Sequence, residues 1–336
     1  MTPRETAAVS AGGEFDLIRR HFQRTASPAA PAVALGIGDD CALLQPSPGC
    51  QIAISSDMLV EGVHFFPDAA PEALGHKALA VNLSDLAAMG AHPLGFTLAL
   101  ALPRVDDAWL TAFSRGLFAL ADAHACPLVG GDTTRGPLNL CITIFGELRP
   151  GQALRRDAAQ AGDDLYLSGA VGEARLALEL LRGTPWATAH SGPGALSRLR
   201  ERLERPTPRV ALGQALAGLA HAAIDVSDGL AGDLGHILRA SRVGAHLELA
   251  ALPLPPDLAG LPEDRRFECL LHGGDDYELI FTAAPGDRER VQSAARASQT
   301  PVHRIGCITP NAGQLRLIGT QGQTVAVPTR GFDHFA

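Results

Sequence analysis

The chain has one lysine. Of its 28 basic residues 27 are arginine, so chemistry that needs an amine is confined to Lys77. No block of basic residues occurs and the formal net charge is −8, which argues against nucleic acid as a main partner. Six cysteines stand at 41, 50, 126, 141, 269 and 307, never as C-x-x-C. That excludes a zinc or redox cluster and fits buried thiols in a reducing compartment. The N-terminal stretch 1–13 has no apolar core, so no signal peptide is expected and the location expected is cytoplasmic. The most apolar run, 78–102, is broken by Asn82, Ser84, Asp85 and His92, which a membrane span would have to bury in lipid. Motifs are missing too. There is no P-loop, no third glycine after Gly36-x-Gly38, no kinase H-R-D or D-F-G, and no G-x-S-x-G elbow. If ATP is used here, the scaffold is a different one.

What is present suits a large globular chain: 336 residues, 46% hydrophobic and 19% charged. Helical spacing covers 14–24, 71–89, 106–124, 173–181, 209–220, 230–241 and 287–297. Short apolar runs read as strands at 32–37, 51–56, 94–102, 128–129, 139–147, 164–168, 222–226 and 277–282, with a strand-like tail over 302–327. Residues 183–194 read as a loose loop, and the prolines at 253, 255, 256 and 262 as an exposed connection. The turn Arg149-Pro150-Gly151 divides the chain into domains 1–150 and 151–336. Strands and helices mix in both halves, so the class is α/β or α+β.

The acids fall in a pattern. Asp39 and Asp40 follow one strand; Asp57 follows Ser55 and Ser56; Asp132 follows Gly130-Gly131; Asp225 and Asp228 flank Ser227. By strand alternation Asp225 and Ser227 share a face. An acid after a strand is ordinarily a turn former or helix cap, and Asp228 has that option, as do Asp39 and Asp275. Asp85 is different. It lies mid-helix among apolar neighbours, three residues after Asn82 and so beside it on the helix surface. Burying that carboxylate requires either an arginine partner or a cation. Oxygen-only donors with several Asp suit Mg²⁺. Taken singly, His64 reads as a structural imidazole and Lys77 as a helix residue whose amine reaches water.

Several segments together resemble the thiamine-monophosphate kinase family: Gly13-Glu14-Phe15, Gly36 to Ala42, Ser55-Ser56-Asp57, His64-Phe65, Lys77 to Gly90, Gly130 to Thr134, Asp225 to Leu230, Gly273 to Leu279 and the tail Gly331 to Phe335. The resemblance implies two α/β domains, with the N-terminal domains of a homodimer pairing their sheets into a barrel. It implies transfer of the ATP γ-phosphoryl group to thiamine monophosphate with several Mg²⁺ ions. Residue by residue it implies Asp40, Ser55, Ser56, Asp57, Asp85, Asp132, Asp225 and Asp228 as metal ligands, and Gly131, Asp132, Arg156 and Ser227 at ATP. It implies His64, Asp275 and Phe332 at the substrate. Asp275 stands where the family often has Glu, and Arg155 adjoins Arg156. The same resemblance implies no catalytic base, because a phosphate acceptor is already ionised.

Related families share pieces of this pattern. Selenophosphate synthetase uses a reactive residue near its N-terminus, whereas the first cysteine here is Cys41. The hydrogenase maturation factor ends in a cysteine, whereas this chain ends His334-Phe335-Ala336. The Asn82–Met89 stretch and the Gly331–Phe335 tail favour the thiamine enzyme over aminoimidazole ribonucleotide synthetase. A non-catalytic nucleotide sensor has no need for acids at every ligand position.

Overall fold

The protein is described from a computed structural model, covering residues 13–24, 31–192, 194–319 and 321–325. The N-terminal part contains α1 (Glu14–His21), β1 (Val33–Leu35), β2 (Leu43–Leu44), β3 (Gln51–Val60), α2 (Pro71–Met89), β4 (His92–Leu102), α3 (Asp107–Ala123), β5 (Leu128–Arg135) and β6 (Asn139–Leu148). Four strands form one mixed sheet in the order β3-β6-β4-β5, with only β4 and β5 parallel. The helices α2 and α3 pack together, and α2 also packs on β3 and β6. The two helices approach closely because glycines meet backbone. A Cβ on Gly75 would lie 2.1 Å from the Phe113 carbonyl oxygen, and one on Gly116 would lie 1.8 Å from that of Glu72. Asp106 caps α3 by accepting the N–H groups of Ala108 and Trp109 at 3.1 and 3.0 Å.

The C-terminal part contains β7 (Asp164–Ser168), α4 (Glu173–Leu181), α5 (Pro185–His190), α6 (Ala195–Glu204), α7 (Val210–Leu216), β8 (Ala222–Asp225), α8 (Leu230–Ser241), β9 (Gly244–Glu248), α9 (Pro256–Ala259), α10 (Glu263–His272), β10 (Leu279–Ala283), α11 (Arg288–Ala297), β11 (Val302–Thr309), β12 (Leu315–Ile318) and β13 (Thr324–Val325). Seven strands form a second sheet, β13-β12-β9-β11-β7-β10-β8, antiparallel except for β9 with β12. The class expected from the sequence is met by two mixed sheets with helices against them.

Between the parts runs α2. It touches α3, β3 and β6 on one side and α6, α7 and β8 on the other. Nearly every residue from Ala73 to Ala88 is therefore buried, His76 and Asp85 being only partly so. This explains why its sequence is apolar all round rather than on one stripe. It ends where expected, at Gly90 in the left-handed conformation, φ 72°.

Several expectations are corrected. The 183–194 loop contains α5, because Pro185 occupies the first helical turn, where its missing N–H costs nothing. Pro256 does the same for α9, and Pro262 precedes α10, so the proline-rich connection is partly helical. The strand at 51–56 continues to Val60 and that at 128–129 to Arg135. Asp57 and Asp132 are thus inside strands rather than after them, and Ser55 and Ser56 lie mid-strand rather than at a strand end. Asp228 does not cap α8, whose N-cap is Gly229; the Asp233 carboxylate instead accepts the N–H groups of Ser227 and Asp228 at 3.1 and 3.0 Å.

Candidate active site

A cavity of about 1150 Å³ opens between the two parts. Its walls bring together Asp57 from β3, Asp85 from α2, Asp225 at the end of β8, and Ser227 and Asp228 in the turn after it, together with His64 and Asp275. One face of α2 supplies Leu74, Lys77, Val81 and Asp85 to the wall, at helical spacing.

Three acids meet at the centre. Ser55 Oγ donates to Asp85, and Asp57 and Asp85 stand close enough to act on one another's charge. Asn82 completes the arrangement, its Oδ1 accepting the Asp57 N–H at 3.2 Å. Ser84 Oγ donates to Asp225 Oδ2 at 2.8 Å. Burial, then repulsion from Asp85 and Asp225, pushes Asp57 up to about 7. Burial, then Asp85, pushes Asp225 up to about 7. Asp85 is raised by burial despite the Ser55 hydrogen bond and the charge of Arg156. Asp233, behind the 227–228 turn, is raised by burial to about 7. No described arginine forms an ion pair with Asp57, Asp85 or Asp225; Arg156 acts on Asp85 and Asp225 through space. The ion-pair alternative for Asp85 therefore fails. Arg155 is occupied elsewhere, with its Nε 2.8 Å from Asp157 Oδ1.

The loop from Gly273 is zipped to the 226–228 turn. Asp275 N–H donates to the Ser227 carbonyl at 2.9 Å and Tyr277 N–H to the Val226 carbonyl at 2.8 Å. Asp275 and Tyr277 both hold positive φ, 66° and 52°, a strained setting for residues other than glycine. Lys77 Nζ lies 2.7 Å from Asp275 Oδ1. His64 Nδ1 accepts the Val60 N–H at 3.0 Å, which puts the proton of a neutral ring on Nε2.

Other expected site residues lie elsewhere. Ser56 faces away from Ser55 and Asp57, as alternation requires, and bonds Thr143 Oγ1 at 3.0 Å across the sheet. Asp40 is exposed in the loop after β1. Asp57 pairs through Ile142 and Leu98 to Gly131, three strand spacings or roughly 14 Å across the sheet. Asp132 lies beyond it, exposed on the edge strand β5. Phe332 and the 331–335 tail fall outside the described residues. Lys77, Asn82, Ser84, Asp233 and Tyr277 were not singled out as site residues by the sequence. Two signals were available: Lys77 is the sole lysine, and Asn82 lies one helical turn from Asp85.

The central donors are carboxylate and hydroxyl oxygens, the set that hard divalent cations take. Among the described residues no group of three or more His, Cys, Asp or Glu side chains is drawn close enough to hold a metal ion as it stands. The crowding of buried acids around Asp57 still marks a site short of positive charge, which a cation fits. No described helix is long and apolar enough to cross a membrane.

Two family models match in sequence order. The one described as AIR synthase related protein, N-terminal domain, covers residues 38–148, and the corresponding C-terminal domain covers 160–317. The chain is 45% identical over 325 residues to thiamine-monophosphate kinase of Escherichia coli strain K12, covering 96% of this chain and 98% of that one. It is similar to the crystal structure of thiamine-monophosphate kinase from Stenotrophomonas maltophilia K279a, with 48% identity, a TM-score of 0.80 and coverage of 88% and 93%. It is also similar to AaThiL complexed with AMPPCP and TMP, with 29% identity, a TM-score of 0.73 and coverage of 87% and 89%.

Proposed function

The chain belongs to the thiamine-monophosphate kinase family, and on that premise we propose how its cleft carries out the ATP-dependent phosphorylation of thiamine monophosphate to thiamine diphosphate. Transfer is direct and in line, from the γ-phosphorus of ATP to a phosphate oxygen of the acceptor. The observation that carries this reading is the convergence of Asp57, Asp85 and Asp225 from three separate elements on one cavity, with no arginine paired to them.

The barrier to this reaction is repulsion between two phosphate groups. Two unit charges 4 Å apart repel by roughly 4 kcal/mol at an effective dielectric near 20. Bound Mg²⁺ offsets that repulsion and aligns donor and acceptor. Asp57, Asp85, Asp225 and Asp228, with Ser55, are the ligands at the cleft, and Asp40, Ser56 and Asp132 complete the set carried over from the family. Ser227, Gly131, Asp132 and Arg156 hold ATP; His64, Asp275 and Phe332 hold thiamine monophosphate. Residues 1–150 and 151–336 act as the two domains that close on the substrates. The acceptor oxygen is already ionised, so the chain needs no base, and no side chain is phosphorylated on the way.

The working form is a homodimer. The helix α2 packs on the sheet of the first domain, and Ile54 and Met58, on the face of β3 opposite Ser55 and Asp57, are 63% and 54% exposed among the described residues. The strands β3 and β5 are open edges. Pairing these edges with a second copy is what returns Asp132 to a cleft, that of the neighbouring protomer. The test of the dimer is complementation. The variants Asp57→Asn and Asp132→Asn, each inactive alone, regain on the order of a quarter of wild-type activity when refolded together, because half the mixed population carries one intact site. No recovery means both acids act within one chain.

Phosphorus NMR of the chain with ATP, Mg²⁺ and thiamine monophosphate tests the reaction, and thiamine diphosphate must appear together with ADP. Inversion at a chiral γ-phosphorus is expected; retention means a phosphorylated enzyme and overturns the direct step.

A further inference from the structure

We propose that Lys77 reads the phosphate of the acceptor, releasing Asp275 to take it, so that the Lys77–Asp275 pair is the element that tells thiamine monophosphate from thiamine. The inference rests on the reaction proposed above. It starts from an ion pair that no structural need accounts for. Two almost fully buried carboxylates elsewhere in the chain are held by arginine, Asp164 by Arg288 and Arg304, and Glu278 by Arg209, whereas Asp275 is a third exposed. At Asp275 the partner is the one lysine, 5% exposed, with its amine 2.7 Å away and facing the substrate cavity. The two cations differ in what they do well. A guanidinium is a rigid fork suited to a permanent two-point contact, whereas an ammonium is a compact charge on a flexible stem that can change partners.

The placement suits an exchange. Lys77 lies eight residues before Asp85 on the same wall of α2, roughly 12 Å along the helix axis. The intervening wall is apolar, being Val81. An acceptor phosphate lying between the amine and the acid cluster is thus neutralised from one end by the chain itself. The carboxylate partner is fixed, since Asp275 sits on backbone of positive φ zipped to the 226–228 turn. The lysine is the half of the pair that is free to move.

The chemistry of the ligand matches. Thiamine monophosphate carries a cationic thiazolium ring and an anionic phosphate, so it is itself a separated ion pair. Its entry replaces one internal pair by two across the site, Lys77 with phosphate and Asp275 with the ring, and no charge is left alone. Thiamine offers only the cation. It would take Asp275 and leave a buried ammonium without a partner, which is strongly unfavourable.

The test is a ratio of affinities. Binding of thiamine monophosphate and of thiamine is measured by calorimetry on the whole chain with AMPPCP and Mg²⁺ present, for wild type, K77M and K77M/D275N. In K77M the monophosphate is expected to weaken about 10- to 100-fold and thiamine to bind at least as tightly as to wild type, its penalty of a stranded ammonium being gone, while AMPPCP stays within about threefold. The preference for the phosphorylated ligand then collapses. An unchanged preference overturns the proposal, as does an equal loss for monophosphate, thiamine and AMPPCP, which is what a purely structural lysine gives. If K77M does not fold, K77M/D275N carries the same comparison, since it leaves no carboxylate without its cation; a preference retained there overturns the proposal. A wild-type chain that makes no thiamine diphosphate is a different result, and fails the reaction on which the inference rests.

Discussion

Two settings of buried carboxylates contrast most sharply in this molecule. On the second sheet, Asp164 and Glu278 are 2% and 1% exposed, and each is gripped by arginine. Arg288 Nε lies 2.6 Å and Arg304 Nε 2.8 Å from Asp164, and Arg209 Nε lies 2.7 Å from Glu278 with Ser168 Oγ at 2.6 Å. These arginines hold Asp164 below the ordinary carboxylate range. In the cleft, Asp57 and Asp225 have other acids for neighbours and are pushed up to about 7. Arginine is not scarce in a chain with 27 of them. Asp164 and Glu278, buried with their arginines, belong to the architecture; Asp57 and Asp225, crowded by other acids in the cleft without one, suit a cation that arrives with the substrates.

A crossed pair of substitutions gives the largest test. Glu278→Gln removes the charge that Arg209 and Arg202 share, and is expected to destabilise the fold by about 3 kcal/mol or more, because a buried cation is left uncompensated. Asp57→Asn is expected to leave thermal stability near wild type or above it, while turnover falls by about 10²- to 10³-fold with the loss of an electrostatic contact to the reacting phosphates. Thermal melts and steady-state rates on both variants check this. If Asp57→Asn melts as early as Glu278→Gln, the two settings do not differ in kind.

The pH dependence of stability separates the settings by sign. In the unfolded chain both kinds of Asp ionise near 3.8. Folded Asp57 and Asp225 hold their protons to about 7, so between about pH 4 and 7 the folded state binds more protons. Stability from these groups is greatest at the acid end of that window and is lost as pH rises through 7, at up to about 1.4 kcal/mol per pH unit for each group. Asp164 works the other way, its contribution being present above 3.8 and lost as pH falls through its lowered folded value. Without divalent cations, melting temperature should therefore fall from about pH 5 to 7 less steeply in Asp57→Asn than in wild type, and Mg²⁺ should stabilise wild type more at about pH 8 than at pH 5. Equal slopes in the two proteins would mean that Asp57 does not hold its proton to about pH 7 in the folded state.

How much of this was legible beforehand depends on the range of each interaction. The helix α2 could be read to the residue, because Pro71, a continuous apolar run and Gly90 are local signals. The adjacency of Asn82 and Asp85 was equally local. Alternation along β3 separates Ser56 from Ser55 and Asp57, but only once the strand is seen to continue to Val60. The helix α6 went unread although Leu199 and Leu203 are spaced for one buried face, because six of its ten residues are polar or charged and resemble a solvated connection. The strand β9 is five residues, begins with glycine, and gains its identity from lying between β11 and β12. The pairings that define the site join distant positions, Lys77 with Asp275 and Ser84 with Asp225, and so does Arg209 with Glu278 on the second sheet. No spacing rule reaches across such separations, and the fold alone brings them together.

The smallest expected effect concerns a hydroxyl in the cleft that does for its acid a little of what arginine does on the second sheet. Ser84 is fully buried, and its Oγ donates to Asp225 Oδ2 at 2.8 Å. That bond favours the ionised acid and is the largest influence opposing the upward push on Asp225. In Ser84→Ala the push is less opposed, so Asp225 holds its proton to a still higher pH. A cation must displace that proton, and the pH midpoint for Mg²⁺ binding should therefore move up, by roughly half to one unit for the loss of one hydrogen bond to a charged group. The melting temperature should change little, since the lost bond is offset in part by easier burial of the neutral acid. Metal titrations across pH on wild type and Ser84→Ala measure the midpoint. A shift downward, or the same midpoint in both, would mean that the hydroxyl serves packing alone and that the cleft acids stand without help from neutral neighbours.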